Sequence, residues 1–212
     1  MDRLYANKFL TGLLLLLVTL AAAAEQGQNK ALIAIIIDDL GNQRLAGERV
    51  IALPGPVACS IIPHTSYSTY LAERADAAGK EVMLHLPMQS MAMEENVAPG
   101  GIDLDTNRVN FHRILEADLR NVPHVRGVNN HMGSLITRHP GHMDWLMDEL
   151  LERGDLFFVD SYTTASSIAL SIARDKGVPA ARRNVFRDSP QSQLDIAGEF
   201  ERLKKAATQH GF

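Results

Sequence analysis

The sequence predicts an α/β fold built on a parallel sheet. Three observations carry this. Short apolar runs rich in β-branched residues alternate along the chain with segments of helical periodicity. The runs are near-continuously apolar, as expected of strands covered on both faces. Each run also ends near an Asp, Asn or His, at the end where parallel α/β folds collect ligands and catalytic groups.

The expected strands, in order, are Leu32–Ile37, Val57–Ile62, Glu81–Leu86, Val125–Val128, Leu156–Val159 and Arg183–Phe186. Between them, Tyr67, Tyr70, Leu71, Arg74, Ala75 and Ala78 share a helical face that Gly79 is placed to stop. Met143, Leu146, Met147, Leu150 and Leu151 repeat at helical spacing before Gly154. Ala165, Ile168, Ala169, Ile172 and Ala173 do the same before Gly177 and Pro179. The longest irregular stretch, Pro87–Asn107, is of the length at which loops are often functional. No low-complexity segment and no second domain stand out.

The chain begins unlike the rest. Arg3 and Lys8 precede an apolar stretch, Phe9–Ala24, with "LLLLL" at Leu13–Leu17 and "AAAA" at Ala21–Ala24. This reads as a secretory signal peptide cleaved near Ala24, and the apolar run falls short of the ~20 residues of a spanning helix. The expected organisation is a signal peptide at 1–24, a short linker at 25–30 and one domain at 31–212. Membrane contact is expected only through the signal peptide before cleavage. Removing Asp2, Arg3 and Lys8 with it leaves 19 basic and 24 acidic side chains, net −5. That balance argues against a nucleic-acid partner. The single cysteine, Cys59, rules out an internal disulfide, which suits a bacterial periplasm better than a disulfide-stapled extracellular module.

The polar strand ends are Asp38-Asp39, His64 in "IIPH", His85 in "EVMLHLPM", Asn129, Asn130 and His131 in "GVNNHMGS", Asp160 in "LFFVDS" and Asp188 in "VFRDS". Six strands delivering such residues at one end point to a single polar site. Asp and His together suit a divalent metal, with Zn²⁺ first among candidates. Two adjacent carboxylates can divide the chemistry, one binding the cation and the other taking a proton. Plainer roles compete. Adjacent Asp residues can cap the following helix, Asp160 and Asp188 can be N-caps, "NNH" can be a turn, and His85 can be a core histidine. His64 precedes a helix whose expected N-cap is Ser66. His112, His124, His139, His142 and His210 read as surface or structural, and Trp145 as core.

"IAIIIDDLG", "KEVMLHLPMQ", "RGVNNHMGS", "FFVDSYTT" and "RNVFRDS" resemble the divergent polysaccharide deacetylase family, a distant branch of the metal-dependent carbohydrate esterases that remove N- or O-acetyl groups. The resemblance runs from about Ala31 to Phe212. It implies a distorted parallel (β/α) barrel. It also implies that Asp38 is the general base and Asp39 a metal ligand. His85 takes the place of the first histidine of the usual "HTxxH" stretch, while Gln89 stands in the second place. His131 is then the substitute, giving Asp39, His85 and His131 as ligands. His64, Asn129, Asn130, Asp160 and Asp188 fall beside these or toward substrate, with Asn130 or Asp160 orienting a ligand. The usual "RPPYG" stretch is absent. Relatives continue past "KKAATQHGF" into a strand carrying a catalytic histidine, so the chain is expected to be C-terminally truncated.

The function expected from this resemblance is metal-dependent removal of acetyl groups from a cell-envelope glycan, peptidoglycan-like or chitooligosaccharide-like, in the periplasm. Two alternatives stand beside it: a non-catalytic glycan- or partner-binding protein that keeps the metal pocket, and a metal phosphoesterase.

Overall fold

The computed structural model describes residues 32–92, 97–185 and 193–210. The chain divides into two units, Ala34–Asp188 and a second made of Met1–Ile33 with Ser189–Phe212. In the first unit the elements run β1 (Ile35–Leu40), α1 (Arg44–Ile51), β2 (Val57–Ile61), α2 (Ser68–Ala77), β3 (Val82–Met88), α3 (Arg108–Asn121), β4 (Val125–Met132), α4 (Pro140–Arg153), β5 (Phe157–Asp160), α5 (Ala169–Lys176) and β6 (Ala180–Arg182). In the second, the described element is helix α6 (Gln193–His210).

Among the described residues all five pairings of β1 to β6 are parallel, and the sheet order is sequential. Each strand from β1 to β5 is followed by a helix before its neighbour, the connectivity of a (β/α) barrel. Such an arrangement delivers the carboxyl ends of all strands to one side.

The core forms where strands and helices present apolar faces to each other. Cys59, Ile61, Leu84, Leu86, Val128 and Phe158 from the sheet are buried with Leu71 and Ala75 of α2, Phe111 and Leu115 of α3, and Met143, Leu146, Met147 and Leu150 of α4. Local signals set the helix limits. Asn107 caps α3 by accepting from the Asn110 N–H at 3.0 Å. Pro140 opens α4 at its first turn, and Gly154 follows its last residue.

Two expected elements move. The last strand forms at Ala180–Arg182 and not at Arg183–Phe186. The short strand β5 fixes this: Phe158 N–H bonds Pro179 O at 2.9 Å and Arg183 N–H bonds Asp160 O at 3.0 Å, so the ladder ends where the apolar run was to begin. Phe186 and Asp188 lie outside the described residues, as do the signal segment and linker. The helix expected from Ala165 starts at Ala169, because residues 161–168 are held as a turn. Ser167 Oγ donates to Asp160 Oδ2 at 2.7 Å and Ile168 N–H to Thr137 O at 3.0 Å.

Candidate metal centre

The site begins with an irregularity in β1. Ile37 pairs with Cys59 and Leu40 with Ile61, so Asp38 and Asp39 together stand opposite Ser60 alone. This is a β-bulge, with Asp39 in the left-handed region at φ 60°. Successive residues of a regular strand point to opposite faces. The bulge lifts that rule, and both carboxylates reach the same histidine. Asp38 Oδ1 lies 3.8 Å from His85 Nδ1, and Asp39 Oδ1 lies 3.2 Å from His85 Nε2. The Asp pair does not cap α1, whose N-cap is Gln43.

His85 and Asn129 are register partners across β3 and β4, and His131 follows Asn129 by two residues on the same face of β4. "NNH" is therefore strand and not turn. His131 Nδ1 approaches Asp39 Oδ1 at 2.9 Å and His85 Nε2 at 3.3 Å. Asp39 Oδ1, His85 Nε2 and His131 Nδ1 thus form a triangle with edges of 2.9, 3.2 and 3.3 Å. Three ligands at tetrahedral positions around an ion with ~2.0–2.1 Å bonds stand roughly 3.3 Å apart. The donor set fits a small divalent cation in both chemistry and spacing, and among the described residues it is the group of His, Cys, Asp and Glu side chains suited to one.

Around the triangle, Asn129 donates from Nδ2 to Asp38 Oδ1 at 2.8 Å. Its Oδ1 accepts from Ser60 Oγ at 2.7 Å and from His85 Nδ1 at 2.9 Å. His85 is buried, His131 partly so, and the Asp39 side chain is 60% exposed, so the centre opens to solvent on the Asp39 side. The His131 ring and then the His85 ring beside it hold the Asp39 carboxyl well below the usual carboxylate range, against the opposing effect of burial.

The other expected site residues separate from this group. Asn130 points to the opposite face, where Nδ2 donates to Met132 O at 2.6 Å and Oδ1 accepts from Ser161 N–H at 2.9 Å. Asp160 is spent on its own turn, accepting from Tyr162 N–H at 2.8 Å and Ser167 Oγ. The residue bonded to a candidate ligand's ring is Asn129, not Asn130 or Asp160. His64 turns away: Nε2 lies 2.8 Å from Asp118 Oδ1, and its backbone N–H bonds Asn121 Oδ1 at 2.7 Å. Tyr67, not Ser66, is the N-cap of α2. Gln89, in the place of the usual second histidine, receives the Leu104 N–H at 3.0 Å and so steadies its own loop.

Two residues that sequence reasoning passed over matter here. Ser60 is a polar residue within an otherwise apolar strand, and it is fully buried against Asn129. Asp118 falls in register with Phe111 and Leu115 on the buried face of α3. Its Oδ2 has no hydrogen-bond partner among the described residues, and burial pushes its carboxyl up to about 8. Both signals were polar residues at apolar positions.

Among the described residues, four of the five non-glycine residues with positive φ, Asp39, His64, Met132 and Tyr162, lie at the carboxyl ends of β1, β2, β4 and β5, while His124 precedes β4. Such conformations cost of order 1–3 kcal/mol each and cluster at functional sites.

The profile of the divergent polysaccharide deacetylase family matches residues 35–212. This chain belongs to that family. Among curated proteins, YibQ of Escherichia coli (strain K12) is 33% identical over 182 residues, covering 84% of this chain and 56% of YibQ. A protein of Haemophilus influenzae (strain ATCC 51907 / DSM 11121 / KW20 / Rd) is 31% identical over 179 residues, covering 84% of this chain and 63% of its own length. The chain thus spans less than two thirds of the length of either relative. The crystal structure of protein ATU2773 from Agrobacterium tumefaciens C58 superposes with a TM-score of 0.78 at 20% identity, over 84% of this chain and 73% of that one. At that identity the likeness is one of fold, and it agrees with a distorted (β/α) barrel. The family is generally metal-dependent, and among the described residues of this member the side chains that could hold an ion are Asp39, His85 and His131.

Proposed function

We propose that this chain is the hydrolytic domain of a metal-dependent deacetylase acting on an acetylated cell-envelope glycan. The observation that carries the reading is the juxtaposition of a ligand triangle with a second carboxylate, Asp38, held separately by Asn129. A bound divalent ion, with Zn²⁺ favoured by the His₂Asp donor set, supplies an acidified water and polarises the acyl carbonyl.

The chain's own residues supply the rest. Asn129 occupies Asp38 Oδ1, which leaves Oδ2 without a hydrogen bond among the described residues and available to take the proton of the attacking water. Asp38 then holds that proton beside the departing sugar nitrogen or oxygen. The open Asp39 side of the centre suits a polymer chain lying across the mouth better than an enclosed small molecule. Export to the periplasm, with cleavage near Ala24, is part of the same proposal.

The test is metal analysis of the purified full-length protein, followed by acetate release from peptidoglycan and chitooligosaccharides. One equivalent of metal with acetate release is the expected result. Metal without acetate release favours the binding-protein reading, to which Gln89 in the place of the second histidine already gives weight. Phosphate release from phosphoesters would favour the phosphoesterase reading instead.

A further inference from the structure

We infer that Asn129, backed by Ser60, is a positioning residue that couples the base to the metal centre: the carboxylate of Asp38 orients the Asn129 amide, and the amide in turn decides which nitrogen of His85 faces the ion. The inference rests on the reading of Asp38, Asp39 and His85 proposed above.

Asn129 is 2% exposed, and its amide side chain bonds three other side chains. Its two amide ends are not interchangeable. With Nδ2 toward Asp38 Oδ1, a donor meets a carboxylate at 2.8 Å. The flipped amide would set Oδ1 against that carboxylate, two acceptors in a partly buried contact, which is unfavourable. Asp38 therefore fixes Oδ1 on the other side. There it receives the Ser60 hydroxyl at 2.7 Å and faces His85 Nδ1 at 2.9 Å. Because Oδ1 can only accept, His85 Nδ1 must carry the proton. In the neutral imidazole Nε2 is then the lone-pair nitrogen, and Nε2 is the atom in the triangle with Asp39 and His131.

Ser60 completes the arrangement. It is fully buried in β2, and it is the residue that the Asp38-Asp39 bulge stands opposite. The backbone irregularity that re-aims both carboxylates and the hydroxyl that anchors Asn129 Oδ1 thus meet at one register position. A buried polar trio with only a packing role would have no reason to join the base on one side and a ligand ring on the other. Partners of this kind on a ligand histidine typically change metal affinity 10–100-fold when removed.

The experiment uses the full-length protein with two readouts. The first is histidine ¹⁵N NMR of the metal-free protein, well above the ordinary imidazole pKa, to identify the His85 tautomer. The second is Zn²⁺ affinity by chelator competition. Wild type should show His85 protonated on Nδ1. Asn129→Ala should populate the Nε2–H tautomer and weaken Zn²⁺ binding 10–100-fold. Asp38→Ala and Asp38→Asn separate coupling from packing, because Asp38 is not a ligand. Asp38→Ala removes the group that orients the amide, so it should mix the His85 tautomers and weaken Zn²⁺ roughly tenfold. Asp38→Asn presents an amide oxygen to Asn129 Nδ2 and should restore both. If Asp38→Ala and Asp38→Asn match wild type in tautomer and affinity, the coupling is overturned. So too is it if wild-type His85 carries its proton on Nε2. Should wild type bind no metal, the proposed function fails while the metal-free tautomer still decides the coupling.

Discussion

Asp38 accepts a hydrogen bond from the Asn129 amide, whereas Asp39, one residue on, faces two imidazoles. That difference in partners underlies the roles proposed for them: the carboxylate between two imidazoles is suited to a cation, and the one whose Oδ2 has no hydrogen bond among the described residues is suited to a proton. Asp38→Asn in a full-length protein should therefore keep its metal and lose acetate release by about 10²–10⁴-fold. Equal release by variant and wild type would remove Asp38 from the mechanism. Asp118 gives a second prediction at this scale. Its carboxyl is raised by burial to about 8, so between ~4 and about 8 the folded protein holds a proton that the unfolded chain has released. The sign follows: the contribution is fully present below pH ~4 and is lost as pH rises through about 8. Asp118→Asn should flatten the decline of stability across that window. Denaturant midpoints measured at several pH values check this, and parallel profiles for the two proteins would refute it.

Among the elements, β1 and the turns that follow β1 and β2 decide whether a site exists. The bulge gives two carboxylates one direction, and the chain must then leave the strand at once. Gly41 does this at φ 129°, with its carbonyl accepting the Tyr67 N–H at 2.9 Å. A Cβ on Gly41 would stand 2.1 Å from Thr65 Oγ1 and 3.1 Å from Ile62 O, so the β1–α1 and β2–α2 turns are in contact through it. Gly41→Ala combines a strained backbone with an overpacked contact and should cost about 2–4 kcal/mol. Chemical denaturation of the metal-free protein measures it. A loss under ~0.5 kcal/mol, the size of an ordinary surface substitution, would mean that the two turns separate freely.

For the molecule as a whole, the centre joins three strands that are remote in sequence: β1 supplies Asp39, β3 His85 and β4 His131. An ion bound there ties these strands together and should stabilise the fold by mass action, by about 2.7 kcal/mol at a hundredfold excess over its dissociation constant. Thermal unfolding with and without Zn²⁺ should show this gain in wild type. His131→Ala should abolish it, and an undiminished gain in that variant would place the ion elsewhere. Export is tested at the same scale. Mature protein should lack Met1–Ala24 and fractionate with the periplasm, and an N-terminus still at Met1 in membrane fractions would reject the proposal.

The sequence by itself determined the parallel α/β order, because near-continuous apolar strands and helical periodicity are local patterns that a parallel sheet imposes on each element separately. It also determined that Asp38, Asp39, His85 and His131 lie at one side, since the carboxyl ends of parallel strands share a side whatever their detailed packing. Faces and partners were beyond it. Asn129 and Asn130 are chemically identical neighbours, and only the pairing of β4 with β3 and β5 turns one toward His85 and the other toward Ser161. His64 shares the polar strand end but is drawn to Asp118, a partner 54 residues away on α3. Ser60 and Asp118 were readable only as polar residues in apolar positions. The last strand moved to Ala180–Arg182 because pairing with β5 outweighed local apolarity. Above all, the bulge that brings two adjacent carboxylates to one histidine is a matter of register between β1 and β2, which depends on contacts between strands and leaves no mark in either strand's own pattern.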